Sequence, residues 1–248
     1  MYLKLFFYTP LSMYSKIKKI FRFSLLKINI QIFINSFFFN RYVSIFDNLT
    51  YNLPYKFIHP SNWTKENYGK LTTKVYNGLL ETKNLPLYDW YLFADDDTFV
   101  HMNNLFKFLN NKNSTQPVQY GHRFKALNGF LSGGAGFVFS MEAYKRLINK
   151  LSFDYNSCPN SGIDDLDLST CLKLVNVSIQ DSRDENGLER FHPGDIERHY
   201  FGPVDDGPYP FYKQFMGKNC SSKSWISFHE KNHLHFDNMI EFVDNILK

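Results

Sequence analysis

The spacing of apolar residues predicts alternating helices and short buried strands from about residue 65 onward. Lys65 to Thr82 carries apolar residues every three or four positions, which predicts a helix with one buried face. Asp89 to Ala94 is apolar on both faces, as expected of a central strand in a covered sheet. Two further helices are predicted over Asn103 to Asn111 and from Asp164 to about Val175, and Ser140 is placed to cap another. This alternation is typical of α/β layering.

The first 40 residues follow a different pattern. Basic residues interrupt the aromatic and aliphatic stretch from Ile20 to Phe39, and no acidic residue precedes Asp47. A membrane-spanning helix prefers about 20 nearly uninterrupted apolar residues. Residues 1–40 therefore form either a marginal signal anchor, with a cytosolic N-terminus and a luminal domain, or a poorly ordered leader. Residues 41–248 are predicted to form one folded domain.

Composition and charge narrow the class of protein. The 248 residues are 44% hydrophobic and 21% charged, which suits one substantial globular domain. The net charge is only +4, and much of it lies in the leader, so a nucleic-acid partner is not indicated. Cys158 and Cys171 flank a short acidic segment and could form a disulfide, in which case Cys220 would have no cysteine partner. Asn-x-Ser/Thr sequons favour the secretory pathway and occur at Asn48, Asn62, Asn113, Asn176 and Asn219.

The sharpest chemical feature is the run Asp95-Asp96-Asp97, directly after the predicted buried strand. Adjacent carboxylates repel one another unless a cation or solvent compensates. In open α/β sheets this end of a strand is also where ligands bind. Asp95 and Asp97 would point to the same side of an extended chain, which suits a hard divalent ion that bridges two phosphates. The alternative is an exposed acidic turn with helix-capping roles.

Three other segments are candidates for chemistry, each with a plain structural alternative. The glycine-rich run around Gly133 and Gly134 would let backbone approach a substrate, or is a tight loop forced by packing. One carboxylate of the run Asp164-Asp165-Leu166-Asp167, at a predicted helix start, is a general base, or the run only complements the helix dipole. His229 ends a strand-like run, where a lone histidine is more often structural than a metal ligand.

These segments occur in an order that resembles a known family. The runs WYLFADDDTFV, GHRFK, GFLSGGAGFVFS, IDDLDLSTCL, DSRDENGLERFHP and NCSSKSWISFH are similar to those of core 1 β1,3-galactosyltransferases, from about Trp63 to about Phe242. The resemblance implies a GT-A-type, Rossmann-like α/β fold. It further implies inverting transfer of galactose from UDP-galactose to the 3-hydroxyl of GalNAc on Ser or Thr of a glycoprotein, with Mn²⁺. The resemblance also implies a single-pass type II Golgi membrane protein with a luminal catalytic domain. It leaves open whether the protein is a homodimer.

The resemblance also implies roles for individual residues. Asp95 and Asp97 match the metal-binding motif, His229 matches the histidine that completes the metal shell, and Asp165 matches the proposed base. It also implies pairing of Cys158 with Cys171. The residues expected to line the donor and acceptor pocket are Asp96, Arg123, Gly133 and Gly134.

Departures from the family pattern keep alternatives open. The interval before the acidic run is shortened, which predicts that the first nucleotide-binding strand is missing or replaced by Arg41 to Asp47. A truncated or non-catalytic relative that acts as a folding partner is one alternative, although the intact acidic run argues against the folding partner. A sibling β1,3-glycosyltransferase with a different donor is another.

Overall fold

The computed structural model describes residues 4–7, 30–35, 55–57, 68–95, 97–127, 129–202, 209–230 and 238–248. Within these ranges the protein is a mixed α/β structure, as predicted, and its arrangement is consistent with a GT-A-like fold. The predicted pocket residue Asp96 and the predicted substitute strand Arg41 to Asp47 lie outside the described residues.

Seven strands form the main sheet, in the order β10-β6-β9-β4-β2-β1-β3. Their bounds are β1 Lys4–Phe7, β2 Ile30–Asn35, β3 Tyr55–Phe57, β4 Trp90–Asp95, β6 Val118–Gly121, β9 Phe137–Ser140 and β10 Ser178–Ile179. A second sheet has the order β11-β12-β5, with β5 Thr98–Val100, β11 Phe191–His192 and β12 Ser227–His229. A two-stranded hairpin joins β7 Arg123–Phe124 to β8 Phe130–Leu131.

Six α-helices occur in the described ranges, and the first four lie where the sequence predicts helices. Their bounds are α1 Leu71–Glu81, α2 Met102–Leu109, α3 Met141–Phe153, α4 Asp164–Leu174, α5 Ile196–Phe201 and α6 Met239–Ile246. The predicted cap of α3 is confirmed, because the Ser140 side chain accepts a hydrogen bond of 3.1 Å from the Ala143 N–H. Among these helices, none is both long enough and apolar enough to cross a bilayer.

Strand β4 explains why its sequence is apolar on both faces. Trp90 and Leu92 pack in one core cluster, which also contains residues of α2, α6 and the second sheet. Tyr91 and Phe93 point the other way, into a cluster with residues of α1, α3 and α4. The strand is therefore buried between two layers, and its carboxyl end carries the acidic run out to the edge of the sheet.

Three short parallel strands extend the sheet beyond β4. Strand β2 pairs with β4 over six residues, from Ile30 opposite Trp90 to Asn35 opposite Asp95. Strand β1 pairs with β2, and β3 pairs with β1. The place beside β4, where the shortened interval predicts a missing or replaced strand, is thus held by β2, whose isoleucines recur at every second position. The domain boundary at residue 40 and the anchor role of the leader stay predictions.

Candidate metal and acid-base site

The acidic run lies in a tight connection between β4 and β5. The Asp95 N–H donates to Thr98 Oγ1 at 3.1 Å, and the Thr98 hydroxyl donates to the Gly134 carbonyl at 2.9 Å. The connection is thereby tied to the glycine-rich segment across the edge of the sheet. Asp95 and Asp97 are both partly exposed, so their carboxylates remain accessible to a ligand from solvent.

Strand pairing brings His229 to the acidic run from more than a hundred residues away. Strand β12 lies antiparallel to β5, with His229 opposite Thr98, and the Glu230 N–H extends the pairing by donating to the Asp97 carbonyl at 2.9 Å. His229 Nε2 lies 2.9 Å from Asp97 Oδ1. The backbone register, rather than a flexible loop, therefore sets the position of the imidazole.

Asp95, Asp97 and His229 form a donor set that could hold a metal ion. One ligand atom from each side chain lies within 4.8 Å of those of the other two. Two carboxylate oxygens and one imidazole nitrogen suit a divalent ion of the kind that also binds phosphate oxygens and water. The three side chains therefore fit a divalent cation, and their ligand types are compatible with more than one such ion.

The glycine-rich segment lies against both halves of the site. A Cβ atom on Gly134 would lie 2.3 Å from His229 Nδ1, and one on Gly133 would lie 3.1 Å from Asp165 Cβ. Gly136 adopts a φ of 70°, a left-handed conformation that favours glycine. The loop is thus both tightly packed and next to the reactive groups, so the two interpretations of its sequence are compatible.

Asp165 lies in the first turn of α4 and is held by two backbone groups. The Gly133 N–H donates to its Oδ2 at 2.9 Å, and the Leu166 N–H donates to its Oδ1 at 2.7 Å. Burial raises the pKa of the Asp165 carboxyl, and these hydrogen bonds oppose the rise. A carboxylate that is fixed in position and has a raised pKa suits proton acceptance.

The neighbouring acidic residues of α4 have different surroundings. Burial, followed by the charge of Asp165, raises the pKa of Asp164 to about 7. Asp167 is buried and accepts hydrogen bonds from Thr72 Oγ1 at 2.5 Å, from the Ser161 N–H at 2.6 Å and from Ser161 Oγ at 2.9 Å. Asp167 is therefore a structural group that fixes the approach to α4.

Arg123 lies on the β7–β8 hairpin, opposite Leu131. Its guanidinium carbon is 3.7 Å from the centre of the Phe211 ring, and the Phe211 N–H donates to the Arg123 carbonyl at 3.0 Å. The hairpin leads directly into Gly133. Arg123 thus lies beside an aromatic segment at the entrance to the glycine-rich loop, and its role toward a donor or acceptor stays a prediction.

Cys158 and Cys171 form a disulfide that ties the segment before α4 to the body of that helix, with a Cα–Cα distance of 5.1 Å. Cys220 is a free, buried cysteine, and burial raises the pKa of its thiol to about 11. Burial thus favours the protonated thiol over the thiolate.

Behind β12 lies a group of buried polar side chains that the sequence analysis did not find. His122, Glu189, His192 and His199 line one small cavity together with Cys220. Burial lowers the pKa of His122 to about 3 and raises that of Glu189 to about 8, so both are largely neutral near pH 7. These residues come from four separate segments and have no common spacing that would reveal the group.

One member of this group supports the metal site indirectly. His192 Nδ1 lies 3.0 Å from the Ser227 carbonyl, and the His192 ring stacks on Phe228 at 4.1 Å between ring centres. Both contacts fix β12, the strand that ends in His229.

Comparison with known proteins finds similarity to galactosyltransferases. Residues 62–132 match the sequence model of the family described as Galactosyltransferase. Over 150 residues the chain is 36% identical to glycoprotein-N-acetylgalactosamine 3-beta-galactosyltransferase 1 of Xenopus laevis, covering 57% of the chain and 41% of that protein. Both matches make this chain similar to galactosyltransferases over part of its length.

Other proteins similar to this chain have different names. It is 32% identical over 98 residues to beta-1,3-glucosyltransferase of Mus musculus, covering 38% of the chain and 19% of the relative. It is 29% identical over 76 residues to chondroitin sulfate synthase 3 of Homo sapiens, covering 26% of the chain and 9% of the relative. The chain thus spans less than half the length of each of these relatives.

The galactosyltransferase match covers only part of the site. Residues 62–132 include Asp95, Asp97 and Arg123, but end before the glycine pair, Asp165 and His229. In the folded protein His229 lies beside the acidic run and Asp165 lies beside Gly133.

Proposed function

We propose that this chain is a metal-dependent, inverting β1,3-galactosyltransferase that uses UDP-galactose. The acceptor is the 3-hydroxyl of GalNAc linked to Ser or Thr of a glycoprotein, and the product is the core 1 O-glycan. One observation carries the proposal: the Gly133 N–H binds Asp165 while Gly134 packs on His229. Two adjacent residues thus hold a general base next to the donor set for a divalent ion.

The residues have distinct parts in the proposed reaction. Asp95, Asp97 and His229 would hold Mn²⁺, which when bound offsets the charge of the diphosphate leaving group. Asp165 accepts the proton of the acceptor 3-hydroxyl through a carboxylate oxygen. The acceptor oxygen bonds to the anomeric carbon of galactose as the bond from that carbon to the diphosphate breaks. Attack from the face opposite the leaving group inverts the configuration.

The raised pKa of Asp165 supports its assignment as the base. An exposed aspartate has a pKa near 4 and is a weak base at neutral pH. Burial next to Gly133 raises this value, which brings it closer to the operating pH and strengthens proton acceptance. The two backbone hydrogen bonds keep the carboxylate aimed in one direction.

The direct test is transfer by the purified protein. The protein would be incubated with UDP-galactose and a GalNAc-bearing peptide, with Mn²⁺ or with a chelator, and the disaccharide product measured. We expect metal-dependent transfer, and an Asp165→Asn variant with about a 10²–10⁴-fold lower kcat and little change in KM for the donor. The matched control is Asp154→Asn, which changes an exposed carboxylate at the end of α3. If no galactose is transferred to the peptide at any metal concentration, the proposal is wrong.

A second candidate differs only in the donor. The similarity to a protein named beta-1,3-glucosyltransferase favours testing UDP-glucose. Equal amounts of UDP-galactose and UDP-glucose would compete for one acceptor, and the sugar in the product would be identified. Predominant glucose in the product would replace the galactose assignment and leave the roles of Asp95, Asp97 and Asp165 unchanged.

We also propose that the catalytic domain acts in the Golgi lumen. The basic residues before Ile20 and the sequons support this placement. Protease treatment of sealed microsomes tests it: residues 41–248 should be protected until detergent is added. Digestion without detergent would place the domain on the cytosolic side.

A further inference from the structure

Three sequons lie within the described residues, and the proposed function uses none of them. They begin at Asn113, Asn176 and Asn219. A sequon is only a short motif, so the structure has to distinguish usable acceptors from chance occurrences. Two properties matter: the asparagine amide must be accessible, and the hydroxyl two positions later must be presented with it.

Asn113 has both properties. It lies in the connection between α2 and β6, and both Asn113 and Thr115 are exposed. Asn113 Oδ1 accepts hydrogen bonds from the Thr115 N–H at 2.9 Å and from the Thr115 hydroxyl at 2.8 Å. The turn thus holds the amide and the hydroxyl side by side at the surface. Among the described residues, no hydrogen bond is made by the amide nitrogen of Asn113.

We propose that Asn113 is a site of N-linked glycosylation. The ligand is an oligosaccharide supplied by a lipid-diphosphate-linked donor of the secretory pathway. The Asn113 amide nitrogen bonds to the anomeric carbon of the first sugar and loses a proton. The bond from that carbon to the donor's diphosphate breaks, and the lipid diphosphate leaves. The site rests on the luminal placement in the proposed function, but not on transferase activity.

The other two described sequons are less suited to the modification. In the sequon at Asn219, Cys220 and Ser221 are 5% and 1% exposed, and the Ser221 hydroxyl donates to the Ser222 carbonyl. An enzyme would have to reach a hydroxyl that lies inside the folded protein. In the folded protein this sequon therefore does not present its hydroxyl at the surface.

The sequon at Asn176 is exposed but its parts are separated. Asn176 has a φ of 57°, in the left-handed region, and Val177 between the two polar residues is 3% exposed. Ser178 lies in strand β10, where its hydroxyl accepts from Gln180 Nε2 at 2.8 Å. Its hydroxyl is thus engaged away from the asparagine. Asn113 is the described sequon that presents its two groups together.

The position of Asn113 is compatible with both a bulky glycan and an open active site. The Ser114 carbonyl accepts from the Glu142 N–H at 3.1 Å, at the start of α3. Ser140, at the end of β9, pairs with Trp90, where β4 begins. The acidic run is at the other end of β4, about 17 Å away at ~3.3 Å per residue. A glycan on Asn113 would project from the edge of the sheet opposite the proposed metal site.

The test is to secrete the full chain from animal cells behind a cleavable signal sequence and map its glycans. An amidase that removes N-linked glycans converts the modified asparagine to aspartate, which mass spectrometry locates. We expect conversion at Asn113, its complete loss in Asn113→Gln and in Thr115→Ala, and retention in Thr115→Ser. The matched control is Asn111→Gln, which changes an exposed asparagine of the same connection outside any sequon.

The outcomes are separate from those of the transferase assay. An unmodified Asn113 peptide in the secreted wild-type protein would overturn the proposal, whether or not that protein transfers galactose. Occupancy at Asn113 that persists in Thr115→Ala would also overturn it, because the hydroxyl would then be irrelevant. Because Asn113 is far from Asp97 and Asp165, Asn113→Gln is expected to keep the transfer rate of the wild type.

Discussion

The two acidic runs of this protein look alike in sequence but have opposite surroundings. Asp95 and Asp97 leave the end of a strand and remain partly exposed, with His229 Nε2 2.9 Å from Asp97. Asp165 and Asp167 begin a helix and accept hydrogen bonds from backbone and hydroxyl groups. The first run directs its carboxylates toward an imidazole, whereas the second directs them toward backbone and hydroxyl donors, with Asp167 buried.

This difference shows which surroundings make a carboxylate a metal ligand, a general base or a structural group. Accessible oxygens grouped with an imidazole suit a cation. A single oxygen fixed by the Gly133 N–H, with a pKa raised by burial, suits a proton. Asp167 is fully buried and its oxygens accept hydrogen bonds from neighbouring groups, so its role is structural. Variants at matched positions in the two runs test this division.

The largest effect is expected at the first run. Asp97→Asn keeps the size of the side chain but removes a negative ligand and weakens the pairing with His229. Because the proposed metal supplies several kcal/mol of charge stabilisation, we expect transfer to fall by about 10²–10³-fold. The measurement is the initial rate over a range of Mn²⁺ concentrations.

The control for Asp97→Asn is again Asp154→Asn, whose exposed carboxylate has no part in the site. That variant should retain the wild-type rate and the wild-type dependence on Mn²⁺. If Asp97→Asn retained both as well, the acidic run would be an exposed turn and the metal site would have to lie elsewhere.

A pair of glycine variants separates the two halves of the site. Gly134→Ala places a Cβ 2.3 Å from His229 Nδ1, and Gly133→Ala places one 3.1 Å from Asp165 Cβ. Since displaced metal-site groups commonly cost about 10–100-fold in affinity, Gly134→Ala should raise the half-saturating Mn²⁺ concentration about tenfold or more. Gly133→Ala should lower kcat with little change in that concentration. Identical profiles for the two variants would contradict the division.

Much of the fold could be predicted from local pattern. The buried strand at Asp89 to Ala94 and the helix beginning at Asp164 agree with β4 and α4 because apolar periodicity is a local property. The Ser140 cap follows from the residue type alone. The strand Ile30–Asn35 could not be predicted from the sequence, because the aromatic and aliphatic composition around it also fits a marginal membrane anchor.

The site could be predicted only in part. The position of Asp97 at the end of a buried strand was enough to suggest a cation. Only the family resemblance suggested His229 as a metal ligand. No local pattern could do so, because the pairing of β12 with β5 joins segments that are far apart in the sequence. The contact of Gly134 with the His229 ring is a tertiary close approach, and sequence indicates only that glycine is present. For the same reason no spacing revealed the cavity formed by His122 and Glu189.

A smaller effect, on stability rather than on chemistry, is expected at Asp167. Asp167→Ala leaves the Ser161 and Gly162 N–H groups and the Thr72 hydroxyl without their acceptor. We expect the free energy of unfolding to fall by about 3 kcal/mol, measured by denaturant titration. Thr72→Val, which removes one of these donors, should cost about 1 kcal/mol. An unchanged unfolding midpoint in Asp167→Ala would mean that the second run is not structural.

The smallest effect expected is a change in the pH dependence of stability at Asp164. Burial and the charge of Asp165 raise the pKa of Asp164 to about 7 in the folded protein, above its usual 3.8. Between these values the folded state holds a proton that the unfolded state has lost, so this residue's contribution to stability declines as pH rises from about 4 to about 7. Asp164→Asn does not titrate and should flatten that decline. Denaturant titrations at pH 4.5 to 7.5 measure the slope. Asp154→Asn should keep the wild-type slope, and an equal slope in Asp164→Asn would show that this carboxylate is solvated like those of the first run.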